Sequence, residues 1–134
     1  MSDAARLMLG ISLILVPTVI YGGLTMLGVV SDGAFGMPAP PDLTEAQQAF
    51  YRAGHAHAGV LMILSLIVQL VADHARLGAL EWPIRIAAPA AAILVSAGFF
   101  GVAHAAALRL VLYTGAALLA AVTAAVGVGL LRSR

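Results

Sequence analysis

Four long apolar runs constrain this chain more than any other feature: Leu7 to Val30, His57 to Ala72, Ile84 to Ala103 and Leu110 to Leu131. A helix needs roughly 17 to 25 apolar residues to cross the hydrocarbon of a bilayer, and a crossing backbone must satisfy its own hydrogen bonds. With 10% of 134 residues charged and a mean hydropathy of +1.03, the chain lacks the polar surface that a soluble domain needs. The runs therefore predict an all-α integral membrane protein, a single four-helix transmembrane domain over 1–134 with helices at about 7–30, 46–75, 83–105 and 108–131. The first run exceeds the roughly 7 to 15 residues of a signal-peptide core and reads as a retained helix. The second becomes long enough once Phe50, Tyr51, Ala53, Gly54 and Ala56 extend it, which puts Arg52, His55 and His57 inside its first turns.

The arginines set an expected orientation. Arg6 precedes the first helix, Arg76 and Arg85 are read as lying between the second and third, and Arg132 and Arg134 follow the fourth. Positive charge collects on the cytoplasmic side, so both termini are expected there, in a bacterial cytoplasmic membrane. The opposite side carries Arg52, Arg109 and the stretch SDGAFGMPAPPDLTEAQQ, whose prolines and glycines break a helix until Asp42 or Thr44 caps the second one. A kink is expected at Pro17.

On this topology His55, His57 and His104 return to one depth near the outer face. Tyr113 lies at similar depth, Tyr21 somewhat deeper, and His74 alone at the other end. Ionisable groups at membrane depth point to function, although interfacial His, Arg and Tyr also serve as headgroup anchors. At about 100° per residue, His55 shares a polar stripe with Tyr51, Arg52, Gly59, Met62, Leu66, Gln69 and Asp73, expected to face the bundle interior. Gln69 reads as an interhelical hydrogen bond and Asp73 as a boundary carboxylate near Arg76. His57, about 200° away, shares an apolar face with Phe50, Ala53, Leu61, Leu64 and Val68, which should look outward. Gly22, Gly23 and the small residues of GHAHAG, SAGFFG and YTGAALLAAVTAAVGVG favour a close bundle or an oligomer.

The absence of cysteine removes thiolate metal sites and iron–sulfur clusters. A net charge of +1 gives no surface for nucleic acid, there is no nucleotide loop, and HAH lacks the spacing of a zinc protease. Two histidines on different faces of one helix suit a single zinc ion poorly. Haem asks for less: one imidazole as ligand, small residues beside it, and an arginine such as Arg52 or Arg109 for a propionate.

AHAG (Ala56 to Gly59) near the start of the second helix and GFF (Gly98 to Phe100) in the third resemble the styrene oxide isomerase family. These are small four-helix membrane proteins that assemble as trimers and hold haem b between subunits, with ferric iron acting as a Lewis acid on an epoxide oxygen. The resemblance implies that His57 is the axial iron ligand, that His55, Arg52, Gly59 and Phe100 line the cofactor site, and that the partners are membrane lipid, further copies of the chain and a small hydrophobic substrate. The family's catalytic asparagine falls on Ile63 and its tyrosine on Phe100, so His104, Tyr113 or Tyr21 is expected to supply the polar catalytic group. The expected function is an epoxide-type isomerase. The alternatives are a haem electron carrier or sensor with His104 or His55 as second ligand, and a haem-free metal-binding or structural membrane subunit.

Overall fold

The computed structural model describes residues 1–31, 33, 34, 36 and 42–133. Arg134 and the prolines of the loop before the second helix, which entered the sequence reading, lie outside the described residues. Among those described, the chain is all-helical: α1 Asp3–Ser31, α2 Glu45–Ala72, α3 Glu81–Val102 and α4 Arg109–Leu131, with short 3-10 turns at Gly78–Leu80 and Ala106–Leu108. All four are long and apolar enough to span a membrane. α1 starts earlier than its apolar run indicates and is continuous through Pro17, while α2 and α3 stop at Ala72 and Val102, short of the expected ends.

Ser2 contacts Asp73 just past the end of α2, and the backbone N–H of Arg76 donates to Gly129 O near the end of α4 at 3.0 Å. The start of α1, the α2–α3 connection and the end of α4 therefore share one end of the molecule. Thr44 rather than Asp42 caps α2, in a reciprocal box with Gln47 that satisfies two otherwise orphaned N–H groups.

α3 is the central helix: 44% of its membrane-length window is buried, against 17% for α1. Two glycines let α4 reach it. A Cβ on Gly98 would sit 2.5 Å from Leu112 Cα, and one on Gly115 would sit 2.7 Å from the Val95 backbone nitrogen, so the helices touch backbone to backbone. Val68, Ala72, Ile84, Ala88, Val122 and Val126 fill the core at the Asp73 end. Leu61, Ala92 and Val95 continue it outward.

Arg85 corrects the sequence reading. Glu81, acidic in the first turn, starts α3 before Arg85, and Pro83 is tolerated there because first-turn N–H groups have no intrahelical acceptor. Arg85 is a helix residue, as the 83–105 bounds had it, but it is fully buried and does not serve as a charge flanking the helix. Its guanidinium reaches Asp73 Oδ1 at 2.6 Å, Glu81 Oε1 at 3.0 Å and the Gln69 carbonyl at 3.0 Å. Asp73 pairs with this arginine, where the sequence pointed to Arg76. Its carboxylate also accepts from the Ser2 hydroxyl at 2.6 Å and the Ser2 N–H at 2.7 Å. The Ser2 hydrogen bonds first, then the Arg85 guanidinium, hold the Asp73 carboxyl well below its ordinary value.

Candidate functional site

The N-terminal end of α2 is fixed against the end of α3 by polar contacts in its first two turns. Gln47 Nε2 donates to Ala103 O at 3.0 Å. One turn on, the Tyr51 hydroxyl lies 2.8 Å from His104 Nε2, and the Tyr51 ring meets Phe100 edge-on at 5.5 Å. Phe100 then lies over Gly54, where a Cβ would be 3.1 Å from the ring. α2 and α3 hold a fixed register at the level of the histidines.

From that frame His55 and His57 diverge. His55 turns toward α1 and rests on Gly22 and Gly23, its Nε2 only 3.1 Å from where a Gly23 Cβ would be. It lines a cavity of about 300 Å³ between α1, α2 and α3, with Met62, Ala92, Ser96 and Phe100 among its walls. His57 turns the other way, into a groove between α2, α3 and α4 with a cavity of about 580 Å³, lined by Leu61, Leu64, Phe99, Leu112 and Tyr113 among others. Its apolar face is only partly outward: Leu61 and Val68 below it are buried, and the groove opens where His57 itself is exposed.

The His57 ring is oriented from two sides. It stacks on Phe99 with centroids 4.6 Å apart and planes 29° apart. Its Nδ1 lies 2.7 Å from Ala53 O one turn back. A carbonyl only accepts, so Nδ1 carries the proton, and in the neutral ring the lone pair belongs to Nε2. A backbone carbonyl on the remote nitrogen is the usual support of a metal-ligating histidine. The groove walls are apolar, and one oriented imidazole is the donor set that a haem ligated through a single histidine asks for.

The other sequence candidates divide between sites. Tyr113 lines the His57 groove and is 61% exposed. Phe100 shares the His55 cavity instead, and His104 is engaged with Tyr51. Tyr21, on α1, is 67% exposed, and Ile63 is 60% exposed. A Cβ on Gly59 would meet nothing within 4 Å. Arg52 and Arg109 are exposed toward the N-terminal ends of α2 and α4, and among the described residues neither forms an ion pair. No three His, Asp or Glu side chains among the described residues gather as a metal-holding group; the three outer histidines share an end of the molecule but not a site. Sequence reasoning missed Phe99 as the partner of His57 and Tyr51 as the partner of His104. The Phe-Phe pair in α3 was the available signal for the first, since adjacent helical residues point to different neighbours.

The fold defines an all-α chain with four helices long and apolar enough to cross a membrane. No protein-family model, curated protein or solved structure matches it.

Proposed function

We propose that this chain is a membrane haem-b protein in which His57 is the axial ligand through Nε2, working as an isomerase on a small hydrophobic, epoxide-type substrate. One observation carries the reading: an imidazole whose Nδ1 proton is committed to Ala53 O, leaving Nε2 as its free donor atom, lines an apolar groove. The resemblance in AHAG and GFF points to the same residue. Arg52 and Arg109 are the cations within the outer turns that would pair with propionates. Ferric haem, when bound, supplies a Lewis acid able to polarise an epoxide-type oxygen.

The chain's own residues bind, orient and exclude water. Phe99 and the Ala53 carbonyl fix the His57 ring. Leu61, Leu64 and Leu112 present hydrocarbon to an apolar substrate and to the cofactor. Of the three polar candidates, Tyr113 alone lines the groove with His57, so its hydroxyl takes the role of proton donor to the substrate oxygen. The groove opens at the surface of the protomer, which favours a homotrimer with the site at subunit boundaries. The α2–α3 connection and both chain ends face the cytoplasm in this reading.

An optical spectrum of the purified protein tests it. A Soret band with an exchangeable sixth ligand is expected. A protein that takes up no haem on reconstitution would defeat the proposal, and a six-coordinate low-spin spectrum would favour an electron carrier.

A further inference from the structure

The cavity between α1, α2 and α3 is separate from the His57 groove and takes no part in the proposed haem site. Three of its properties define what it would hold. Its floor and walls are apolar, built from Met62, Ala92 and Phe100, and its volume of about 300 Å³ is that of roughly ten liquid waters. Two of its polar groups are left as acceptors only. Ser96, 7% exposed, spends its hydroxyl proton on Ala92 O at 2.9 Å, and Thr18 spends its own on Leu15 O at 2.6 Å, so each offers only oxygen lone pairs. His55 is half-buried, and among the described residues its ring nitrogens make no hydrogen bond to the protein, although a polar group in such surroundings ordinarily has a partner. No arginine lines the cavity, so a carboxylate or phosphate would enter without a counter-charge.

Access is lateral. Phe100, braced by Tyr51, closes the outer end over Gly54, whereas Thr18 on α1 and Ile93 and Ala97 on α3 are exposed at the rim. A ligand would arrive through the bilayer, not from water.

We propose that this cavity binds a neutral, mostly apolar molecule of about ten heavy atoms bearing one hydroxyl, an alcohol or phenol taken from the membrane. The hydroxyl donates to Ser96 Oγ, Thr18 Oγ or a ring nitrogen of His55. Acceptor-only molecules of the same size can take the His55 N–H but satisfy neither hydroxyl's lone pairs, and acids are rejected for want of a cation.

The test uses the full chain in lipid nanodiscs with ¹⁵N-labelled histidine, titrated with 4-ethylphenol and, in parallel, with ethylbenzene at matched membrane concentration. 4-Ethylphenol should move the His55 ring resonances saturably while His74, at the other end of α2, stays still. Ethylbenzene should bind at least about fivefold more weakly, the worth of one modest hydrogen bond. Ala97→Phe, at an exposed rim position, should abolish the His55 response with the helical circular dichroism unchanged. No saturable shift at His55, equal affinity for the two probes, or undiminished binding by a folded Ala97→Phe protein would each overturn the proposal. If the variant does not fold, the two-probe comparison on the unmodified chain still decides, and none of these readouts depends on haem.

Discussion

One proton position distinguishes two histidines that are almost neighbours in sequence. The Ala53 carbonyl takes the Nδ1 proton of His57, whereas His55 is placed by van der Waals contact with Gly22 and Gly23. His57→Ala is therefore expected to abolish haem binding, read as loss of the Soret band, while His55→Ala retains it. The reverse pattern would transfer the ligand role to His55. Tyr113 supports a second expectation. Tyr113→Phe should leave haem content unchanged and lower turnover of the true substrate by about 10²-fold or more, the typical worth of a positioned acid. Equal turnover by the variant would remove Tyr113 from the chemistry.

At the scale of elements, α3 contains an interruption that α2 repairs. Pro89 lies inside α3 and has no N–H to give the carbonyl of Arg85, one turn earlier. Gln69 of α2, fully buried, donates its Nε2 to that carbonyl at 2.8 Å. A side-chain amide on one helix thus completes the backbone ladder of another, which matters where no water can substitute. Gln69→Leu should destabilise the protein by about 1 to 3 kcal/mol, the usual cost of orphaning a buried acceptor. Pro89→Ala restores the missing N–H, so adding it to Gln69→Leu should recover at least about 0.5 kcal/mol beyond additivity in a double-mutant cycle measured by unfolding in detergent. Strict additivity would show that the two residues do not share the Arg85 carbonyl.

For the whole molecule, the buried Arg85 joins α1, α2 and α3 at one end. It binds Asp73, Glu81 and Gln69, and Asp73 in turn holds Ser2 ahead of α1. Because the Asp73 pKa is depressed in the folded state, its contribution is fully present above the ordinary value of 3.8 and is lost as pH falls below it. The thermal midpoint should drop on acidification through that range. Asp73→Asn should flatten the dependence while costing about 1 to 3 kcal/mol at neutral pH, since the buried guanidinium loses one of its two carboxylate partners and keeps Glu81. An acid profile identical in the variant would remove Asp73 from the account. Topology offers an independent check. With Arg85 buried in α3, Arg6, Arg76 and Arg132 still mark one end, so a reporter fused beyond the end of α4 should be active only in the cytoplasm. Periplasmic activity there would invert the orientation and move the His57 groove to the inner half.

The sequence by itself determined the four helices, because continuous apolar runs of this length are too long for strands and satisfy their own backbone only as helices. It also put His55 and His57 on different faces of α2, since helical periodicity alone separates residues two apart. Tertiary structure decided what those faces meet. α4 approaches α3 through Gly98 and Gly115 and leaves a groove beside His57, while α1 lies against His55 through Gly22 and Gly23. Periodicity carries an angle but no neighbour, so neither Phe99 under His57 nor Tyr51 beside His104 could be derived from spacing. Arg85 was misjudged for the same reason. A charge next to an apolar run resembles a flanking loop residue, and only packing α2 against α3 supplied the carboxylates and carbonyls that make its burial possible.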